Sequence, residues 1–170
     1  MSAIEPCITK IVLNIGAGES GDILNKAESV LTQLTDKKPV RTRSRATIPG
    51  FGIRANQEIG CKVTLRRKDA EDFLVKALEV LENTLKEKNF DNNGNFAFGI
   101  KEHIEMKDIQ YDPNIGIFGM DVCVTIERPG YRVARRRVHR AKIGKGHRLT
   151  KEDSIKFVKE KYGVNVIGRE

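Results

Sequence analysis

Three glycines near the start of the chain have the spacing of a dinucleotide-binding loop. Gly16, Gly18 and Gly21 form a G-x-G-x-x-G pattern between a predicted strand and a predicted helix, where such a loop would hold a pyrophosphate at the helix N-terminus. The ribose of a dinucleotide needs an acid at the end of a second strand, whereas Asp36 precedes the next predicted strand. Glu19 would also put a negative charge beside the pyrophosphate. The sequence favours a strand-to-helix turn, with a dinucleotide-binding oxidoreductase as the alternative.

The histidines provide no second catalytic or metal-binding pattern. His103, His139 and His147 show no i, i+4 pairing and have no cysteine or carboxylate nearby at ligand spacing. Glu102 and Glu105 flank the first of them, but no nucleophile or oxyanion donor accompanies these acids. We therefore expect a protein that is not an enzyme and that uses neither a metal nor a cofactor.

The cysteines and the apolar residues indicate the compartment. Cys7, Cys61 and Cys123 are odd in number and too far apart for a CxxC pair, so we expect them to be small buried hydrophobic side chains. No run approaches 18 apolar residues, which argues against a membrane span. The first residues lack the basic and apolar regions of a secretory signal. The expected location is cytoplasmic.

The chemistry that the sequence does favour is the binding of a polyanion. The chain has 31 lysines and arginines against 23 acids, a formal net charge of +8. Residues 37–68 hold ten of the basic residues and one acid, Glu58, and residues 128–151 hold ten more and no acid. A solvated surface needs mixed signs, whereas this segregation favours a partner that releases counterions on binding. Nucleic acid is expected, and a membrane surface is disfavoured because neither stretch has an apolar helix face.

The first basic stretch is predicted to fold as a strand, an exposed loop and a second strand. Arg41, Arg43 and Arg45 alternate with small or β-branched residues, so one strand face would present three guanidinium groups. Residues 46–57 combine proline and glycine with apolar side chains, which indicates an exposed loop that forms a contact surface. From residue 58 to 67, apolar residues alternate with polar or small ones, as in a half-buried strand.

Hydrophobic periodicity predicts three further strands and three helices. The strands are expected at residues 8–15, 95–99 and 121–128. The helices are expected at residues 22–35, 69–88 and 151–162, capped by Asp22, Asp69 and Thr150 respectively. After a tight turn at Pro129 and Gly130, residues 131–138 are expected to return beside the preceding strand.

These elements indicate an α+β fold. We expect residues 1–170 to form a single domain with a mostly antiparallel sheet and with helices packed on one face. A chain of this length buries about 70% of the surface of its unfolded form, enough for a core without disulfides or metals. A basic loop at about 46–57 and a basic segment at about 128–151 would extend from the domain.

Several blocks of sequence, in the same order along the chain, closely resemble the universal large-subunit ribosomal protein five family. The blocks are KIVLNIGAGE (residues 10–19), GFGIR (50–54), IGCKVTLR (59–66), GNFAFGI (94–100) and GIFGMD (116–121). The resemblance covers nearly the whole chain, and the basic segment at 128–148 is similar to the archaeal and eukaryotic branch. Together these blocks are far more specific than the glycine pattern alone.

The resemblance implies a structural protein of the large ribosomal subunit. Members of the family bind 5S rRNA and help to attach it in the central protuberance, together with the large-subunit rRNA and other 5S-associated ribosomal proteins. By the same resemblance, the loop at 46–57 would contact the peptidyl-site tRNA. Another surface would meet small-subunit protein thirteen in an intersubunit bridge. A general RNA-binding protein is the remaining alternative.

The resemblance also implies particular contact residues. Asn14 and Thr64 correspond to rRNA-contact positions of the family, and a third position, generally Gln, corresponds to Lys37. We expect Arg41, Arg43, Arg45 and Arg66 to add phosphate contacts. The residues expected near the tRNA are Pro49, Gly50, Phe51, Gly52, Ile53, Arg54 and Asn56. Further candidates for RNA contact are Arg132, Arg135, Arg136, Arg137 and Arg140.

Overall fold

The computed structural model describes residues 5–106 and 112–168. These residues form seven β-strands and three α-helices. The strands are β1 (Cys7–Gly16), β2 (Val40–Arg43), β3 (Glu58–Arg66), β4 (Thr84–Lys86), β5 (Phe96–Ile100), β6 (Met120–Glu127) and β7 (Asn165–Ile167). The helices are α1 (Asp22–Thr35), α2 (Lys68–Val80) and α3 (Lys151–Tyr162). Within this described part, no helix is long and apolar enough to span a bilayer.

Five strands form a mostly antiparallel sheet in the order β2-β3-β1-β6-β5, and β4 pairs with β7 in parallel. The predicted α+β class and the mostly antiparallel sheet are confirmed. The sequence did not predict β4 and β7, because strands of three residues are too short to show an alternating pattern.

Contacts between Cα atoms divide the chain into two compact units. The central unit comprises the described residues of Val12–Leu65 and Gly99–Val122. The terminal unit comprises those of Met1–Ile11, Arg66–Phe98 and Cys123–Glu170. The expectation of a single domain stays a prediction.

In the central unit, α1 has the predicted bounds but a different N-cap residue. Gly21 is the N-cap, with a φ of 114° that favours glycine, and no side chain caps the helix. The predicted capping by Asp22 was therefore wrong, although its charge in the first turn interacts favourably with the helix dipole. The helix buries one face, consisting of Leu24, Ala27, Val30 and Leu31.

The β2–β3 hairpin of the central unit depends on a close approach at Gly60. A Cβ atom at this position would lie 2.8 Å from the carbonyl oxygen of Ile15 and 3.0 Å from Oγ1 of Thr42. Because a backbone carbonyl cannot move aside as a flexible side chain can, only glycine fits between these neighbours. Gly60 thus allows β3 to approach Ile15 of β1 on one side and Thr42 of β2 on the other.

In the terminal unit, α2 is shorter than predicted. It ends at Val80, whereas the leucine pattern predicts a helix to residue 88. Glu82 and Asn83 adopt left-handed φ values of 52° and 53°, which end the helix, and β4 follows. Leu85 is buried in that short strand, so a core leucine continued the helical spacing after the helix had ended. The start also differs, since Arg67 rather than Asp69 is the N-cap.

The last helix was predicted correctly, but the segment between β6 and this helix was not. Thr150 accepts a hydrogen bond from the N–H of Asp153, whose carboxylate accepts one from the N–H of Thr150, which forms a capping box for α3. The expected return strand at 131–138 was wrong. Residues Tyr131–Ala134 form a 3₁₀ helix instead, and the segment continues without strand pairing.

The cysteines were only partly predicted. Cys61 is fully buried, and burial raises the pKa of its thiol to about 11. Cys7 and Cys123 are exposed, so the expectation that they are buried was wrong. Cys123 lies on the solvent side of β6, where the neighbouring Val122 and Val124 supply the buried face.

Candidate RNA-binding surfaces

The outer face of the sheet in the central unit carries two of the predicted rRNA-contact residues. Along β3, side chains alternate between the core and solvent, and Thr64 lies on the solvent side. In β1, Asn14 lies between the buried Leu13 and Ile15 and is half-buried. Neither polar side chain forms a hydrogen bond with another described residue. Both keep their donor and acceptor groups for an outside partner.

The same face presents a cation that the site prediction from sequence omitted. Lys62 is exposed, two residues before Thr64 in β3, and lies opposite Val40 of β2 in the antiparallel register. It is in no salt bridge with the described residues. The alternation that places Thr64 on the outer face also places Lys62 there, so the sequence contained the signal for this residue.

Arg41 and Arg43, which are expected phosphate ligands, bind carboxylates of the same unit. Arg41 lies opposite the buried Cys61, and its Nε and Nη2 donate to Glu28 of α1 at 3.0 and 2.8 Å. Nη1 of Arg41 and Nη2 of Arg43 donate to the two carboxylate oxygens of Glu58 at 3.1 and 3.0 Å. Both guanidinium groups are therefore compensated within the chain.

This pairing shifts the pKa values of the partners. The hydrogen bond from Arg41, followed by that from Arg43, lowers the pKa of Glu58 below its ordinary value. The hydrogen bond to Glu28, followed by that to Glu58, raises the pKa of Arg41 above its ordinary value. These shifts show that the pairing stabilises the charged forms of Arg41 and Glu58, so a phosphate must compete with the carboxylates for the two guanidinium groups.

The loop between β2 and β3 is ordered by its own hydrogen bonds. At its base, the N–H of the buried Ser44 donates to the carbonyl of Gln57, and the carbonyl of Ser44 accepts from the N–H of Asn56, both at 2.9 Å. Nearer the tip, Ile48 and Ile53 exchange two backbone hydrogen bonds of 2.8 and 3.2 Å. These bonds fix the shape of the loop without a partner.

The tip of this loop is apolar and exposed, as predicted. Residues Pro49–Phe51 form a single 3₁₀ turn that ends at Gly52, whose φ is 67°. The side chain of Phe51 is 77% exposed. Arg54 is also exposed. An apolar side chain held in solvent on an ordered turn is suited to contact with another molecule.

The three other expected rRNA-contact residues are dispersed. Arg45 is exposed but lies beyond the end of β2, so the expected strand face with three guanidinium groups was wrong. Arg66 is the exposed last residue of β3 and belongs to the terminal unit. Lys37 is half-buried in the turn after α1.

The turn that contains the three glycines uses its amides internally. The N–H groups of Ala17 and Gly18 both donate to the carbonyl of Ile59 at 3.0 Å. In a dinucleotide-binding loop these amides would face a pyrophosphate. Gly18 and Gly21 have φ values of 74° and 114°, which supports the strand-to-helix turn. In residues 5–106 and 112–168, no cluster of three metal-ligating side chains occurs.

The second basic stretch, in the terminal unit, is anchored at both ends. Gly130 turns the chain after β6 with a φ of 103°. The hydroxyl of Tyr131 accepts a hydrogen bond of 2.7 Å from the N–H of Leu149. Nε2 of His147 donates to the carbonyl of Pro129 at 2.8 Å. The two ends of the stretch are thus bonded to each other.

Most cations of the second basic stretch form no salt bridge with the described residues. The exceptions are Arg128, which binds Asp153 of α3 at 3.0 Å, Arg135, which binds Glu127 of β6, and Lys151, which binds Glu87 at 2.7 Å. The other expected RNA-contact residues of this stretch are exposed and form no salt bridge with the described residues. They are Arg132, Arg136, Arg137 and Arg140.

Comparison with known proteins shows the family of the chain that carries these two basic stretches. The family model of ribosomal protein L5 matches residues 4–54, and the model of the C-terminus of the same ribosomal family matches residues 58–157. The chain belongs to the ribosomal protein L5 family. The large ribosomal subunit protein uL5 of Methanosphaera stadtmanae is 48% identical over 162 residues, covering 95% of this chain and 96% of the relative.

Two further L5 relatives agree. The large ribosomal subunit protein uL5 of Methanococcoides burtonii is 48% identical, covering 95% of each chain. That of Methanoregula boonei is 47% identical, covering 94% of this chain and 96% of the relative. The archaeal-type resemblance is confirmed. As an L5 protein, the chain has a structural ribosomal role and is not an enzyme, as predicted.

Proposed function

We propose that this chain is a component of the large ribosomal subunit that binds 5S rRNA and helps to attach it in the central protuberance. The observation that carries this proposal is the outer sheet face of the central unit, where Asn14, Lys62 and Thr64 are available to a partner. The names of the L5 relatives support the assignment to the large ribosomal subunit. The resemblance described above supports the choice of 5S rRNA and of the large-subunit rRNA beside it.

The proposed contacts divide into two kinds. Asn14 and Thr64 are short and polar, so their hydrogen bonds would fix the register of the RNA on the sheet. Lys62, Arg45 and Arg66 would supply electrostatic affinity, because none of them is in a salt bridge with the described residues. Arg41 and Arg43 would add less, since the RNA must compete with their carboxylate partners.

The loop at 46–57 would contact the peptidyl-site tRNA. Its ordered turn holds Phe51 in solvent, which supports a contact made without prior folding of the loop. Arg54 stands beside this turn and would meet the tRNA backbone. An intersubunit bridge with small-subunit protein thirteen, and contacts with other 5S-associated proteins, are further parts of the proposal and are supported by the resemblance alone.

A competition experiment tests the proposed function. Labelled 5S rRNA is bound to the purified chain at physiological salt and displaced by unlabelled 5S rRNA or by bulk RNA. We expect a preference for 5S rRNA of at least ~100-fold, because specific RNA contacts add to the salt-dependent affinity shared by all RNAs. Equal displacement by both competitors would instead support a general RNA-binding protein.

A further inference from the structure

The cations of the second basic stretch have no assigned partner in the proposed function. Residues 132–148, which we call the basic loop, contain eight lysines and arginines and no acid. In the proposed function, 5S rRNA is bound by the outer sheet face of the central unit and tRNA by the loop at 46–57. The basic loop belongs to the terminal unit and is assigned to neither contact.

The basic loop has a fixed conformation. Its ends are joined where Tyr131 accepts a hydrogen bond from Leu149, and the ring of Tyr131 packs against His147 with the ring centroids 5.8 Å apart. Within it, the N–H of Ala141 donates to the carbonyl of Val133 at 3.2 Å, which closes a smaller loop. Because these bonds already order the loop, binding a partner costs less conformational entropy than it would for a flexible loop.

Two arginines of the basic loop are oriented by their own backbone. Nε of Arg136 donates to the carbonyl of His139 at 2.7 Å, and Nε of Arg148 donates to the carbonyl of Ile143 at 3.3 Å. Neither guanidinium group is in a salt bridge with the described residues. Each keeps its two Nη groups for an outside acceptor, and such a planar pair of donors matches two oxygens of a phosphate.

The side chains of the basic loop do not suit the binding of unpaired bases. Residues 132–148 contain no Phe, Tyr or Trp, and the neighbouring Tyr131 is occupied by His147 and Leu149. The exposed ring of His139 is the one remaining aromatic surface of the loop. Single-stranded RNA is held by stacking of its bases on aromatic rings. Duplex RNA is recognised through its phosphates and 2′-hydroxyl groups, which arginine and lysine can contact without stacking.

We propose that the basic loop binds the phosphate backbone of an RNA duplex and forms a second RNA-binding surface of the chain. The proposal rests on the proposed function in taking RNA as the polyanion, and it names the form of RNA that this surface recognises. An acidic protein surface is the competing class of partner. It is disfavoured because the cations of the loop other than Arg135 form no salt bridge with the described residues, and such a cluster gains most from a polymer with a dense counterion atmosphere.

The test measures the affinity of the full chain for an RNA duplex of about 16 base pairs and unrelated sequence, as a function of salt. The variant Arg136→Gln/Arg137→Gln/Arg140→Gln removes three charges from the basic loop. The matched control Lys86→Gln/Lys88→Gln/Lys159→Gln removes three exposed charges from the same unit, none of them in a salt bridge with the described residues. We expect the slope of log K against log salt to flatten by about 2 to 3 in the loop variant, with roughly 100-fold weaker binding at low salt, and by much less in the control.

A second variant tests the fixed conformation. Tyr131→Phe keeps every cation and removes the hydroxyl that joins the two ends, so we expect duplex binding about 3- to 10-fold weaker with an unchanged salt slope. Thermal unfolding of each variant checks that the rest of the chain is folded.

Three results would overturn the inference. The first is an equal salt slope for the loop variant and its control. The second is a loss of binding to single-stranded oligo-uridine as large as the loss of binding to the duplex. The third is a loss of binding to an acidic peptide with no loss of binding to the duplex. The 5S rRNA competition is separate from these outcomes. If the parent chain prefers 5S rRNA but the loop variant keeps the parent's salt slope for the duplex, only this inference is contradicted. If the parent chain shows no preference for 5S rRNA but the loop variant has a flatter salt slope, only the proposed function is contradicted.

Discussion

The two basic stretches have the same number of cations but differ in which of them bind acids. In residues 37–68, Glu58 binds both Arg41 and Arg43 on β2, and α1 supplies a further carboxylate from Glu28. In residues 128–151, Arg128, Arg135 and Lys151 pair with acids, whereas the arginines at 136, 137 and 140 form no salt bridge with the described residues. The count of arginines in a stretch therefore does not give its affinity for phosphate.

The difference arises from neighbouring elements. The partner Glu28 lies 13 residues before Arg41 and reaches it only because α1 packs beside the hairpin. The basic loop is instead anchored by uncharged groups, including the hydroxyl of Tyr131 and the carbonyl of Pro129. Anchoring by uncharged groups leaves the cations of the loop other than Arg135 for an outside partner, whereas salt bridges occupy Arg41 and Arg43.

The largest expected effect concerns the outer sheet face. Lys62→Glu reverses the charge at an exposed position beside Thr64, so we expect 5S rRNA binding to weaken by about 30- to 100-fold. The matched control is Lys26→Glu on the exposed side of α1, which changes the net charge equally and should weaken binding by less than about 3-fold. Filter binding at constant salt measures both. Equal losses would mean that only the net charge of the chain matters.

A smaller effect, of opposite sign, is expected at the salt-bridged arginines. Glu58→Gln removes the carboxylate shared by Arg41 and Arg43. The guanidinium group of Arg43 and Nη1 of Arg41 then become available to phosphate, while Arg41 stays bound to Glu28. We expect binding of bulk RNA to strengthen about 3- to 10-fold, with a steeper salt dependence. Fluorescence anisotropy across a salt series measures this. Unchanged affinity would show that the carboxylate does not compete with RNA.

The tip of the hairpin loop should separate two activities of the first basic stretch. Phe51→Ala removes the exposed ring while leaving the backbone hydrogen bonds of the loop. We expect tRNA binding to weaken about 5- to 10-fold and 5S rRNA binding to change by less than about 2-fold. Parallel titrations with the two RNAs measure the ratio. A comparable loss of 5S rRNA binding would contradict the proposed division of contacts.

The smallest effect is on the pH dependence of stability. Because the folded pKa of Glu58 is lowered, its pairing contributes stability above the unfolded pKa, near 4.5, and this contribution is lost as the pH falls through the folded pKa. We expect Glu58→Gln to lower the urea midpoint at about pH 7 and to approach the parent protein as the pH falls through the folded pKa of Glu58. Urea unfolding at a series of pH values measures this, and a constant difference at all pH values would contradict it.

Much of the fold could be predicted because local signals and tertiary structure agree. In β3, strict alternation matched a half-buried strand, and in α3 the capping box at Thr150 marked the start of the helix. Where tertiary contacts decide, prediction failed. Leu85 is buried in a strand although its spacing is helical, and the segment after Gly130 follows the hydrogen bonds of Tyr131 instead of pairing as a strand.

The placement of the candidate site residues in the fold was predictable to a similar degree, and their contacts with RNA stay a prediction. The resemblance indicated Asn14 and Thr64, and strand alternation explains why both lie on the outer face. Alternation alone could also have found Lys62. The pairing of Arg41 with Glu28 could not be predicted, because it depends on how a helix packs against a strand.

The most direct test of the central claim compares two matched triple variants on the same RNA across a salt series. Arg41→Ala/Arg43→Ala/Arg45→Ala and Arg136→Ala/Arg137→Ala/Arg140→Ala each remove three guanidinium groups. Because Arg41 and Arg43 are bound to carboxylates, we predict that the first variant flattens the slope of log K against log salt by about 1 and the second by about 2 to 3. Equal flattening by the two variants, or a larger effect of the first, would contradict the account.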